Sequence, residues 1–60
     1  MTAYHISNTI SGSDIGTYEA DDEQGALDAY SRDVGYKDWA DHIEVAPVKD
    51  GEIRVVEVDR

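Results

Sequence analysis

The side chains that could do chemistry in this sequence are almost all carboxylates. The sequence contains fourteen Asp and Glu residues but only five Lys and Arg residues, which gives a formal net charge of -9 over 60 residues. The stretch GTYEADDEQGALDAYSRDVGY, from Gly16 to Tyr36, is rich in acids and holds a single arginine. Paired carboxylates can act as general acid and base, but only where an apolar cleft raises the pKa of one of them. A domain this small is not expected to form a deep cleft.

The remaining polar residues match no catalytic or metal-binding pattern. His5 and His42 are the only histidines, cysteine is absent, and neither an HExxH motif nor an EF-hand loop occurs. No GxSxG motif surrounds a serine, so the serines are predicted to lie in turns and on the surface. We therefore expect no enzyme activity, no metal site and no cofactor.

The net charge also restricts the class of partner. A strongly acidic surface repels nucleic acid and anionic membranes, and it attracts basic proteins. No apolar run approaches the roughly 20 residues that cross a bilayer, and the opening MTAYHISNTI lacks the basic region of a signal peptide. We expect a cytoplasmic protein that binds neither nucleic acid nor membrane directly, as a monomer or a small homo-oligomer.

The apolar pattern predicts one small α+β domain over residues 1–60, in which 40% apolar residues suffice for a core. Thr2–Asn8 alternates as a half-buried strand does, with Tyr4 and Ile6 on its buried face. A turn of Ser, Gly, Ser and Asp precedes a return strand in which Gly16 indicates a bulge. Ile53–Val58 gives the strongest strand prediction.

The main helix is predicted from Asp21 to Val34. Asp21 is expected to cap it, with Gln24 as the reciprocal partner of a capping box. Asp28 and Arg32 have the spacing of an exposed ion pair. The residues predicted to share the core at helical spacing or on the facing strand are Ala26, Leu27, Tyr30, Val34, Ile53 and Val55.

The segment after this helix is predicted to hold a turn and a further strand. Gly35 fits the left-handed position that follows a helix. Lys37–His42 is expected to form one helical turn with Asp38 as its cap, and Ile43–Val48 a short edge strand, because Pro47 cannot donate within a sheet. The predicted order is β-β-α-β-β, an antiparallel sheet with one main helix across one face.

Two interpretations of Trp39 stay open at this point. The side chain is expected to pack beneath the last hairpin, and it can also serve as an aromatic anchor in an interface. The candidate partner-binding residues are Trp39 and the acids of the helix and the segment after it: Asp21, Asp22, Glu23, Asp28, Asp33, Asp38, Asp41 and Glu44.

The acids themselves allow three explanations. They can be a solvated surface that keeps a small protein in solution. They can reflect adaptation to high salt, since Asp outnumbers Glu nine to five and only two lysines occur. They can also take the positions of phosphates in a partner's basic channel, because DNA carries one charge per roughly 1.7 Å of helix axis.

The stretch GTYEADDEQGALDAYSRDVGYKDWAD, from Gly16 to Asp41, resembles small proteins of bacteria and their mobile elements. The size, acidity and lack of catalytic residues resemble phage anti-CRISPR proteins that act as DNA mimics. This resemblance implies a stoichiometric inhibitor that docks on a basic surface of a CRISPR effector complex and blocks target DNA.

The leading hypothesis is therefore an acidic inhibitor that covers a nucleic-acid-binding surface of its partner. The alternative is a generic acidic interaction module, such as an antitoxin or a regulatory subunit. A small enzyme is the third class. Competition separates the first two, because a mimic and duplex DNA should exclude each other on the same partner.

Overall fold

The structure, a computed structural model, describes residues 2–58. Its elements, in chain order, are β1 (Thr2–Asn8), β2 (Asp14–Ala20), α1 (Glu23–Asp33), α2 (Trp39–Val45) and β3 (Ile53–Val58). The strands form one antiparallel sheet in the order β2-β1-β3. The α+β class is confirmed, and the predicted β-β-α-β-β order is wrong at one place, because the fourth element is a helix.

The correction concerns Ile43–Val48, which we predicted as an edge strand. Its first half belongs to α2, whose N-cap is Asp38, as predicted: the Asp38 side chain accepts a hydrogen bond from the N–H of Asp41 at 2.8 Å. The alternation of apolar residues in this segment also fits a strand. Packing of α2 on α1 buries His42, and this tertiary contact favours the helix.

The hairpin of β1 and β2 contains the bulge expected at Gly16. Ile6 pairs with Gly16 and Ser7 pairs with Asp14, so Ile15 is an extra residue in β2. Gly16 has a φ of +153°, which side-chain-bearing residues rarely adopt, and this explains why glycine occupies the bulge. The central strand β1 pairs with β3 along its length, from Ala3 opposite Val58 to Asn8 opposite Ile53.

The core lies between one face of the sheet and α1. Four side chains form its buried centre: Tyr4, Ile6, Ala20 and Ala26. Leu27, Tyr30, Ile53 and Val55 pack against this centre, as predicted. Val34 does not, because α1 ends at Asp33 and leaves the Val34 side chain 50% exposed at the C-cap.

The N-cap of α1 lies one residue later than predicted. Asp22, not Asp21, is the N-cap of α1, and its Oδ1 accepts a hydrogen bond from the N–H of Gly25 at 2.7 Å. Ala20 is still paired in the sheet, so the chain uses the next residue to leave the strand. Gln24 therefore closes no capping box; its Nε2 donates to Asp28 instead.

The C-terminal end of α1 follows the prediction. Gly35 has a φ of +103°, and its N–H donates to the carbonyl of Arg32 at 3.2 Å. The N–H of Tyr36 donates to the carbonyl of Ser31 at 2.9 Å. This pair of bonds is a Schellman motif, which ends the helix at a left-handed residue and redirects the chain toward α2.

Two truncations on α1 test this assignment of its faces. Leu27→Ala should lower the free energy of unfolding by about 2 kcal/mol, the lower end for a leucine that packs against a core, because the side chain is only partly buried. Val34→Ala should change it by less than about 0.5 kcal/mol, because the side chain is exposed. Urea denaturation followed by circular dichroism measures both, and equal effects would show that the faces are wrongly assigned.

Candidate partner-binding surface

The predicted site residues lie in one layer, formed by the two packed helices and their first turns. Asp21, Asp22, Glu23, Asp33 and Glu44 are exposed, whereas Asp28, Asp38, Trp39 and Asp41 are half-buried. The two helices that carry most of these residues are packed against each other. We call this set the carboxylate layer: Asp21, Asp22, Glu23, Asp28, Asp33, Asp38, Asp41 and Glu44.

Asp28 connects the two helices, a role that the sequence did not predict. Its Oδ1 accepts hydrogen bonds from the backbone N–H of Trp39 at 2.9 Å and from Nε2 of Gln24 at 3.2 Å. The predicted exposed ion pair between Asp28 and Arg32 is therefore wrong, because Asp28 bonds to the first residue of α2. The N–H of Trp39 has no acceptor within its own helix, and an exposed ion pair contributes little.

Besides Asp22, the N-cap of α1, three further acids of the layer are held by hydrogen bonds. Asp38 caps α2, and Oδ2 of Asp41 accepts from the N–H of Lys37 at 3.2 Å. Oδ2 of Asp33 accepts from the hydroxyl of Tyr18 at 2.9 Å. Each of these carboxylates has a fixed place, because a donor of the fold binds one of its oxygens.

The cap at Asp38 gives a test that separates charge from hydrogen bonding. Asp38→Ala should destabilise the domain by about 1 kcal/mol, because the N–H of Asp41 loses its acceptor. Asp38→Asn should be nearly neutral, because asparagine caps a helix about as well as aspartate. Thermal unfolding of the two variants measures the difference, and a stable Ala variant would contradict the structural role.

Trp39 lies beside a buried histidine rather than simply beneath a hairpin. The ring of His42 stacks on Tyr36 with centroids 4.3 Å apart and meets the indole of Trp39 edge-on at 5.3 Å. A third ring, that of Tyr30, lies 5.3 Å away. Trp39 is half-buried, so packing and a contact with a partner are compatible.

The sequence placed Ser31 wrongly and made no prediction for the burial of His42. The serine was expected on a surface, yet Ser31 is fully buried and its Oγ lies 3.1 Å from Nδ1 of His42. Helical spacing carried the missed signal, because Ser31 follows Leu27 by four residues and so shares the apolar stripe. Although the pair joins a hydroxyl to an imidazole, as in a nucleophile and its base, burial under aromatic rings denies it a substrate. It links α1 to α2.

A hydroxyl–imidazole–carboxylate arrangement lies on the opposite face of the sheet. His5 bonds through Nε2 to Oδ1 of Asp14 at 3.2 Å and through Nδ1 to Oγ1 of Thr17 at 3.3 Å. The Asp14 side chain is 83% exposed, so water screens its charge. The acid of a hydrolytic triad is buried, and these contacts are better described as cross-strand bonds between β1 and β2.

The acids of the layer also influence two tyrosines. Burial raises the pKa of Tyr18 above its ordinary value of 10.0, and the hydrogen bond to Asp33 and the charge of that carboxylate raise it further. Burial likewise raises the pKa of Tyr4, as do the nearby charges of Glu57, Asp22 and Glu23. In both cases the phenolate is disfavoured in the folded chain.

This raised pKa predicts a loss of stability at alkaline pH. Below the ordinary pKa of 10.0 the stabilisation of neutral Tyr18 is fully present, and it is lost as the pH rises through the folded value, because the unfolded chain ionises first. Tyr18→Phe should be less stable than wild type at pH 7, since the bond to Asp33 is gone, but should lose less stability above pH 10. Melting temperatures of wild type and Tyr18→Phe, measured from pH 7 to above pH 10, test this prediction. If the melting temperatures of the two proteins fell in parallel as the pH rises, the prediction would be contradicted.

Among residues 2–58, no group of three or more His, Asp and Glu side chains is arranged to hold a metal ion. Over the same residues, neither helix has the length and apolar content needed to span a bilayer.

No protein-family model matches the sequence, and searches of curated proteins and of solved structures found no match.

Proposed function

We propose that this protein is an acidic inhibitor that binds a basic, nucleic-acid-binding surface of a partner protein and blocks DNA binding by phosphate mimicry. The observation that supports this most is the carboxylate layer, in which five acids are fixed by hydrogen bonds to the fold. A CRISPR effector complex is a partner of this kind, in keeping with the resemblance to anti-CRISPR proteins. The protein would act in the cytoplasm, by binding and without catalysis.

Fixed positions matter because a flexible acidic chain pays for ordering when it binds. Asp28, Asp38 and Asp41 are held at the junction of the two helices before any partner arrives. Pre-organised groups lose less conformational entropy on association. A rigid set of carboxylates is therefore a better substitute for a phosphate backbone than the same charges on a disordered tail.

Each anchored carboxylate keeps capacity for a partner. A carboxylate has two oxygens that can accept bonds from Lys or Arg. Asp33 and Asp41 each accept the described bond through Oδ2, and Asp28 accepts its two bonds through Oδ1. The second oxygen of each group can accept from a basic side chain without breaking the fold.

The net charge of -9 supplies the long-range part of this function. Opposite charges on two surfaces raise the association rate strongly, and salt reduces that rate. An antitoxin or a regulatory subunit that neutralises a basic protein would use the same attraction. The exposed apolar side chains of α2, Ile43 and Val45, favour such a protein interface, because phosphate mimicry alone does not need them.

The test compares two variants of equal charge on the partner captured from a bacterial lysate and identified by mass spectrometry. One variant replaces Asp28, Asp33 and Asp41 with Asn, which keeps an acceptor at each anchor. Its matched control carries Asp14→Asn, Glu19→Gln and Glu57→Gln, which remove the same charge from the sheet. Circular dichroism verifies that both variants fold.

Surface plasmon resonance should show that the layer variant binds about tenfold or more weakly, a change of about 1.4 kcal/mol or more, with a slower association and a flatter dependence on salt. The control should bind nearly as wild type does, and duplex DNA should compete with the wild-type protein for the partner. Equal losses of affinity in the two variants would show that binding depends on the net charge alone and not on the carboxylate layer. Simultaneous binding of DNA and protein would rule out mimicry.

A further inference from the structure

A groove separate from the carboxylate layer lies between α2 and the turn that precedes β3. Its volume is about 380 Å³, and five apolar side chains form its walls: Trp39, Ile43, Pro47, Val48 and Ile53. We call it the α2–β3 groove. Its volume is at the small end of the roughly 300–1,000 Å³ found for ligand clefts and leaves room for one long side chain.

The turn that forms one wall of this groove is tied to the end of β1 by hydrogen bonds. Oε1 of Glu52 accepts from the N–H of Lys49 at 3.1 Å, and Oε2 accepts from Nδ2 of Asn8 at 3.0 Å. The N–H of Thr9 donates to the carbonyl of Glu52 at 2.7 Å. The turn is therefore held against the end of β1, and a ligand would not have to order it.

The polar groups at the groove suit a cationic head rather than an anionic one. Asp50 lines the groove and is exposed, and the whole chain carries nine excess negative charges. Lys49 also lines the groove, but its four-carbon stem can carry the ammonium group into solvent. Trp39 adds an aromatic ring, which attracts a cation that lies over its face.

We propose that the α2–β3 groove binds one arginine side chain of the protein partner. The aliphatic stem of arginine would pack on Ile43 and Val48, because such stems bury readily on apolar surfaces. The guanidinium group would stack on the indole of Trp39 and bond to Asp50, a combination that planar arginine satisfies and lysine or leucine does not. This inference rests on the proposed function and names an anchor that the basic partner brings to it.

The test uses the full chain and short peptides, so it does not need the partner. Trp39 is the single tryptophan, and its indole N–H therefore gives one signal in a ¹⁵N-labelled NMR spectrum. Acetyl-Ala-Arg-Ala-amide should shift this signal in a saturable way at millimolar concentration. The Lys and Leu versions of the peptide should shift it about tenfold more weakly. Equal binding of the Leu peptide, or no saturable shift with the Arg peptide, would overturn the proposal.

Two variants of α2 provide the matched control. Ile43→Lys places a cation in the groove, and Val45→Lys makes the same charge change outside the groove walls, on a side chain that is 65% exposed. Ile43→Lys should weaken binding of the Arg peptide about tenfold or more, whereas Val45→Lys should leave it near the wild-type value. Equal weakening in both variants would show that the peptide responds to net charge alone. A negative result with the peptides would overturn only the arginine site, because the carboxylate layer is tested separately by the Asn variant described above.

Discussion

The contact between the two helices is the constraint on which the rest of the molecule depends. Ser31 and His42 meet at 3.1 Å in a fully enclosed position, and Asp28 accepts the first N–H of α2. Buried polar groups that lose their partner cost about 1–3 kcal/mol each, so these bonds fix α2 in one place. The α2 part of the carboxylate layer and the α2–β3 groove both depend on this position of α2.

The anchored acids show how a small domain tolerates a net charge of -9. Like charges repel and favour the unfolded chain. Here Asp22 and Asp38 cap helices, Asp28 and Asp41 accept backbone N–H bonds, and Asp33 accepts a hydroxyl. Local donors thus offset part of the repulsion, and they turn charges that could have been mobile into a rigid pattern.

Charge and shape would contribute differently to recognition. Exposed carboxylates act mainly on the rate and the salt dependence of association. An apolar groove with an aromatic wall acts on dissociation, because anchors of binding energy are desolvated and well packed. In the proposed function, the groove next to the last strand and the carboxylates on the helices would give one small protein both contributions.

Local chemistry in the sequence determined the strands, the main helix, the bulge at Gly16 and the left-handed Gly35, because each depends on neighbours within a few residues. The extent of the second helix was decided by tertiary structure. Asp38 predicted its start, but Ile43–Val48 fits a strand by alternation, and burial of His42 against Ser31 favours the helix. The roles of the acids followed the same rule. The sequence shows which residues carry a carboxylate, but the fold decides which donor each carboxylate meets. Asp28, for example, accepts from the N–H of Trp39, eleven residues later in the chain.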